Sequence, residues 1–490
     1  MLSLTKKLLS NLHQNNIRYC HWKSNAHISR SLVGEGDLDV LISQENEKEF
    51  YKTIIDLDFK RLVEKPGKAY PGIEHWLGYS KKEGKLVHLH AHFRLVYGEK
   101  FIKGFRAINE ETLLNRRILE KDIYMMSKSD ELVFLFIRTI VKIDIVWLIK
   151  KILGKEKKYY PPYILEEYGY LTENLPDEDI NRSIDYFLPK LDREEVKKAI
   201  FNIEKLGLWD ILLWKNILNK NLSWSRRLSR TGRYKAFVKT YTDFLFIKLG
   251  LRKKKRKQFF MGGTCIAFLG ADGAGKSTML REINDWLGKH VDIEILYAGT
   301  GDGTKSFGLN FFDKTTNILK QKKRVNSDQQ KNIKEKDDPD LSIFKYLYTN
   351  IRAILIARHR DNIIRKGSRL ANNGAIILYD RYPQPFQKGY GDGPKILTSN
   401  NFVWKQASKW EQRIYTNLYD QYPEHAFIME VSPKTSLARK GEDSEDVINA
   451  KNKVLSEIKQ QKSEQTITID ANKEYKDVLA LLKDKVWAWL

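Results

Sequence analysis

The hydrophobic pattern divides the chain into two halves that read differently. From residue 264 onward, short apolar runs alternate with longer stretches at helical spacing. The runs at 264–269, 293–298, 375–379, 426–431 and 466–469 are continuous rather than alternating, as strands buried on both faces require. Between them, 276–287, 341–371, 401–419, 433–440 and 475–489 read as helices. That alternation predicts an α/β fold, with a parallel sheet covered by helices on both faces. The first half instead opens with a helix over 4–12, Leu4, Leu8, Leu9 and Leu12 sharing one side, and a strand over 17–22. From residue 110 to about 221 the pattern is helical, with apolar runs such as 131–152 and 192–206 separated by Pro161-Pro162 and Pro176.

The first continuous run ends in Gly270 to Ser277, the phosphate-loop pattern G-x-x-x-x-G-K-S set between a strand and a helix. Gly270, Gly273 and Gly275 let the backbone bend until successive N–H groups point at phosphate oxygens, and no Cβ blocks the anion. Ala271, Asp272, Ala274 and Thr278 complete the cradle. Lys276 can reach the β and γ phosphates of a nucleoside triphosphate, and Ser277 can ligate Mg²⁺. The helix starting near Lys276 turns its positive end to the same anion. ATP and Mg²⁺ are therefore the expected cofactors.

In the first half, the stretch GDLDVLI sets Asp37 and Asp39 at period two, on one face of a strand. Two carboxylates so placed can hold a divalent cation against a triphosphate, and Ser24 in the preceding small-residue turn can contact the phosphates. Here residues 1–96 resemble the nucleotidyltransferase superfamily, an α+β fold whose pattern is a small-residue turn, D-x-D on the next strand and a third carboxylate later. Two positions depart from it. Lys23 stands where glycine is usual, and LVHLHAHFRL offers His88 or His90 where the third Asp would stand. His88, His90 and His92 share a face, as metal ligands, a phosphate-binding row or a solvated strand face. An active metal-dependent transferase, a non-catalytic nucleotide module and a structural domain all remain open.

Composition sharpens this picture. Lys plus Arg of 86 against Asp plus Glu of 62 gives a net charge of +24, which favours anionic partners. The excess is uneven: residues 220–258 hold fourteen basic residues and one acid, Asp243, with aromatics interleaved. Such a stretch reads as an interdomain helix with one side docked, or as a contact to an anionic membrane surface. Nucleic acid is not the expected partner, because no nucleic-acid-binding motif accompanies the charge. The two cysteines, Cys20 and Cys265, cannot build a disulfide framework or a Cys-based zinc site. No apolar run reaches a membrane span, since 132–149 is interrupted by Arg138, Lys142 and Asp144 and reads as a buried helix. The N-terminus lacks a signal-peptide pattern, so a cytoplasmic protein is expected. The expected domains are 1–109, a helical extension at 110–219, a basic linker at 220–260, and 261–490. The polar run at 320–340 reads as a mobile insert over the site.

Residues 262–490 resemble the thymidylate kinase family within the nucleoside monophosphate kinase fold. The resemblance is carried by ADGAGKST, by AIILYD leading into Asp380-Arg381-Tyr382, by Arg358-His359-Arg360 on the preceding helix, by VSPKTSLARK, and by the final strand TITIDA. It implies an ATP- and Mg²⁺-dependent phosphotransferase acting on a nucleoside monophosphate or related phosphorylated small molecule. In it Asp380 would lie near Mg²⁺ with Ser277, and Arg381 would touch the moving phosphoryl group. Asp272 would meet the acceptor sugar, Arg358 or Arg360 its phosphate, and Arg439 the donor nucleotide. The departures concern the acceptor: Leu269 stands where the family carries Glu, and AGTGDG replaces an Arg-Glu-Pro stretch. Two alternatives stand beside this reading. One is a nucleotidyltransferase working through Asp37 and Asp39, with the second half binding or supplying nucleotide. The other is an ATP-dependent switch protein at a membrane surface.

Overall fold

The computed structural model describes the chain except residues 65–68, 100–101, 107–108, 155–159, 253–255, 300–338, 390–391, 398–400 and 440–444. The expected insert at 320–338, most of the AGTGDG stretch and the middle of the basic run at 253–255 lie outside the described residues. Two compact units divide the chain, Met1–Phe260 and Met261–Leu490.

The first unit is built on strands Tyr19–His21 (β1), Asp37–Ile42 (β2), Lys60–Val63 (β3), Ile73–Ser80 (β4), Lys85–His92 (β5), Val96–Tyr97 (β6), Phe105–Arg106 (β7), Ile118–Glu120 (β8), Ile123–Met125 (β9) and Gln258–Phe259 (β10). Eight of them form a mixed sheet in the order β10-β3-β4-β5-β2-β1-β9-β8, while β6 and β7 pair separately. Period two sorts the side chains. Leu38, Val40 and Ile42 of β2 join Val87, Leu89 and Ala91 of β5 in a core closed by Leu8, Leu9 and Leu12 of helix Ser3–Gln14. The other face of the same strands carries Asp37, Asp39 and the histidine row, because β2 and β5 run parallel with Asp37 opposite His88 and Asp39 opposite His90.

Two expectations are corrected here. The stretch from residue 110 is not all helix: β8 and β9 lie within it, and β9 pairs with β1 in the sheet. Their hairpin turns on Lys121 and Asp122, at φ 53° and 61°, a left-handed pair without the glycine that marks such turns in a sequence. The run at 131–152 is not one helix but two, Lys128–Lys142 and Ile145–Ile152. Asp144 separates them by capping the second, its Oδ1 accepting from the Trp147 amide at 2.8 Å. The basic linker is a helix, Arg230–Lys248, that docks on the first unit: Arg233 pairs with Glu99, and the Tyr241 hydroxyl donates to Asp144 Oδ2 at 2.5 Å. The chain then returns to the sheet edge as β10, against β3.

The second unit is a five-stranded parallel sheet of Cys265–Gly270 (β11), Ile293–Tyr297 (β12), Ile376–Asp380 (β13), His425–Glu430 (β14) and Thr466–Asp470 (β15), in the order β12-β13-β11-β14-β15. Ile266, Ala267 and Phe268 on the central strand are fully buried, which is why that segment reads as a continuous apolar run. Helices Lys276–Leu287, Pro339–Asn372, Phe402–Asp420, Pro433–Arg439, Glu445–Gln461 and Tyr475–Trp489 follow the strands. The strand order reverses at β11, so the loops after β11 and β13 open side by side at the carboxyl edge.

Candidate active site

The loop after β11 can adopt its path only with glycine at two packed points. A Cβ on Gly270 would come 2.8 Å from the Met429 carbonyl, and one on Gly273 would come 2.8 Å from the Ser436 carbonyl. Gly275 has open space around it but sits at φ 84° as the helix N-cap, a conformation that costs other residues strain. Ala271 and Ala274 are buried beneath the loop. Lys276 opens the helix, and its Nζ donates to the carbonyls of Gly270 at 2.9 Å and Ala271 at 2.8 Å. Burial, followed by the nearby Arg381, pushes its pKa down to about 8.

Across from the loop, β13 delivers Asp380 to the same edge. The exposed Ser277 hydroxyl donates to Asp380 Oδ2 at 3.0 Å, while the buried Asp380 Oδ1 has no hydrogen-bond partner among the described residues. A hydroxyl and a carboxylate so joined, with one buried oxygen unsatisfied, form a donor set that fits a hard divalent cation. Arg381 follows at φ 71°, its amide still bonded to the Phe268 carbonyl, so the backbone turns left-handed as the strand ends. Its guanidinium meets Asp272 of the loop and lies 3.5 Å from Asp392. Burial works against the Arg381 charge, but Asp392 and Asp272 outweigh it and push its pKa up. Asp272 is also held by Lys451 Nζ at 2.5 Å. Burial would raise the Asp272 pKa, and the two cations hold it well below the usual range instead.

Arg360 and Arg358 part company. Arg360 is fully buried, donating to Ala298 O at 2.8 Å, Asp392 O at 2.7 Å, Asp392 Oδ1 at 2.5 Å and the Tyr415 hydroxyl at 2.6 Å. It is thus joined to Arg381 through one shared carboxylate. Arg358 is exposed, with its guanidinium over the Trp410 ring rather than in this network. Arg439 ends helix Pro433–Arg439 and donates to the Ala471 carbonyl at 3.0 Å. With Gly275, Thr278 and Lys473 it lines a cavity of about 270 Å³ on the far side of the loop. Lys451 and Asp392 were missed by the sequence reading: Lys451 lies 179 positions from Asp272, and Asp392 meets Arg360, 32 positions away, and Arg381 with no local spacing to announce either contact.

In the first unit, Asp37 and Asp39 share a face but not an environment. Asp37 is half exposed and accepts from His88 Nδ1 at 2.6 Å. Asp39 is buried, with Lys23 Nζ at 2.9 Å, His90 Nδ1 at 2.8 Å and His92 Nε2 at 3.4 Å, all on its Oδ1. Burial would raise its pKa, but Lys23 and the histidines hold it well below the usual range. Ser24, at φ 57°, lines a cavity of about 630 Å³ together with Lys23, Asp37 and Asp39.

No protein-family model matches the chain. A curated relative, the uncharacterized ATP-binding protein YghR of Escherichia coli K12, is 25% identical over 217 residues, covering 44% of this chain and 83% of its own length. The protein of the same name from Escherichia coli O6:H1 strain CFT073 matches equally. Among solved structures, deoxyadenosine kinase from M. mycoides with bound dATP is 18% identical, covering 46% of this chain and 98% of its own, with a TM-score of 0.25. The fold reading rests on the strand order and the loop, not on that likeness.

Proposed function

We propose that the second unit is an ATP- and Mg²⁺-dependent phosphotransferase whose acceptor is a nucleoside monophosphate or a related phosphorylated small molecule. The observation that carries this reading is the meeting of Lys276, Ser277, Asp380 and Arg381 at one carboxyl edge of a parallel sheet. A relative described as an ATP-binding protein points the same way. Mg²⁺, when bound, would neutralise charge on the phosphate oxygens, and Ser277 and Asp380 are the residues to hold it. Lys276 would exchange its two loop carbonyls for phosphate oxygens, a gain because an ammonium bonds an anion more strongly than a neutral carbonyl. Arg381 is restrained beside the loop by Asp272 and can reach a phosphoryl group in transit with a planar, permanently charged fork. The loop amides and the helix N-terminus supply the rest of the positive field. On the far side of the loop, Arg439, Thr278 and Lys473 are placed to receive the base and ribose of the donor.

The acceptor side is defined by Asp272 and its two cations. An ionised carboxylate can accept from a sugar hydroxyl, while Lys451 and Arg381 can turn toward an acceptor phosphate. The test is ADP release by the purified full-length chain against panels of nucleoside monophosphates and sugar phosphates. Turnover with one panel, lost in Lys276→Ala, supports the reading. Absence of acceptor-stimulated ADP release across all panels would sink it.

A further inference from the structure

The first unit holds a cluster that the phosphotransferase reading does not use. We propose that Asp39, His90 and His92 form a binding site for one divalent transition-metal ion of the Zn²⁺ or Co²⁺ class, distinct from the Mg²⁺ expected at the phosphate loop.

Strand geometry brings these side chains together. Histidines at 88, 90 and 92 on β5 share a face, and the parallel register sets Asp39 of β2 directly opposite His90. The ligand atoms of Asp39, His90 and His92 consequently all lie within 4.8 Å of one another. They converge inside the fold: Asp39 is 6% exposed and His92 is 0% exposed. Asp39 Oδ1 is already the point on which a cation and two imidazoles close, with Lys23 Nζ at 2.9 Å. The ion would enter this point, and the lysine, on a flexible four-carbon stem, would swing toward the adjacent cavity.

A purely structural network explains the cluster less well. His92 Nδ1 is buried with no hydrogen-bond partner among the described residues, and its Nε2 reaches Asp39 only at 3.4 Å. A buried imidazole so poorly satisfied is a cost to the fold. Coordination through Nε2 replaces that long contact with a bond, while Nδ1 keeps the ring proton. The outer partners are in place as well. His75 lies opposite His90 on β4 and stacks on it at 4.2 Å, and it meets His88 Nε2 at 3.3 Å, while His88 is bonded to Asp37. Asp37 and His88 thus pair with each other and, through His75, border the His90 ring without joining the ligand set.

Ligand chemistry selects the class of ion. Two imidazoles and one carboxylate suit zinc, cobalt or iron(II), whereas Mg²⁺ takes oxygen donors and keeps its water. Three protein ligands leave coordination positions open. Access exists from two sides, since Asp39 lines the cavity of about 630 Å³ and His90 lines another of about 400 Å³. The inference shares no residue with the phosphotransferase site and stands or falls without it.

The experiment uses the full-length, tag-free chain, stripped with a chelator and dialysed. Co²⁺ is titrated with visible absorption as the readout, and bound Zn²⁺ is counted by equilibrium dialysis. The expected result is one ion per chain, with ligand-field bands of a nitrogen- and oxygen-ligated, low-coordinate site that excess Mg²⁺ does not erase. His92→Ala and Asp39→Asn should each weaken binding by at least about 100-fold, beyond what loss of a supporting partner brings, while Asp37→Asn stays within about tenfold. Far-ultraviolet circular dichroism checks that the variants are folded. Absence of Co²⁺ bands in the wild type overturns the proposal without recourse to any variant. Displacement by equimolar Mg²⁺, or equal losses in Asp37→Asn and His92→Ala, also overturns it.

Discussion

Lys276 is the residue whose environment says most about its task. The residue is 6% exposed and its ammonium has a pKa pushed down to about 8, so it stays charged in the free protein only below that pH. Two consequences follow with opposite sign. The depressed pKa costs the folded state stability below about pH 8, and that cost fades as the pH rises toward the ordinary lysine value. Triphosphate binding needs the proton, so affinity for a non-hydrolysable ATP analogue should be flat below pH 8. Above it, affinity should fall by up to about tenfold per unit. Fluorescence titration from pH 6.5 to 9.5 checks this, and Lys276→Ala, itself expected to abolish turnover, should remove the inflection. A wild-type curve flat through pH 9.5 would mean that the lysine is not the titrating contact. Arg381 makes a different prediction. Arg381→Lys keeps the charge but loses the fork, so turnover should drop roughly 30- to 1000-fold, or about 2–4 kcal/mol in the transition state. The ATP dissociation constant should hardly change, because the loop and Lys276 supply that binding. Proportional loss of ATP affinity and rate would instead make Arg381 a donor-side residue.

At the scale of elements, legibility followed burial. The five strands of the second sheet lie within one residue of the positions their apolar runs predict, because a strand covered on both faces must be apolar throughout. The loop was legible for a similar reason, since each of its glycines answers to a steric or backbone demand. Helix Glu445–Gln461 was missed: it buries only Ile448, Val454, Leu455 and Ile458, and most of the rest of it is polar. With it went Lys451, whose contact with Asp272 is made only by the tertiary fold. The join at Asp144 shows the same limit, for a single polar residue in an apolar run reads as an interruption when it is in fact a cap. Asp144→Ala removes the acceptor of both the Trp147 amide and the Tyr241 hydroxyl. The cap alone should cost about 1–2 kcal/mol and the hydroxyl about 1 more. Urea unfolding followed by tryptophan fluorescence should show the lower midpoint in the first unit, with turnover intact. An unchanged midpoint would mean that neither bond holds those helices in place.

For the whole molecule, the division into units makes the sharpest demand. The core around Leu38 and Phe50 and the core around Leu132 and Phe136 draw on the first unit alone, and the core around Ile377 and Ile428 draws on the second alone. Each of these three cores therefore lies within a single unit. The chain boundary is fixed by β10, which pairs Gln258 with Val63 and Phe259 with Leu62, so the first sheet is complete only at Phe260. Among the described residues no helix is long and apolar enough to cross a membrane. Residues 261–490 expressed alone should fold and bind an ATP analogue as the full chain does, with Lys276→Ala weakening binding alike in both, because every contact of the phosphate loop described above lies within that unit. Residues 1–260 should unfold cooperatively, and a version ending at 250 should unfold at lower urea, since it leaves the β3 edge unpaired. Calorimetry on the isolated second unit decides the main point. If it folds but no longer binds the analogue, the site draws on the first unit, and the phosphotransferase would have to be read as a property of the whole chain.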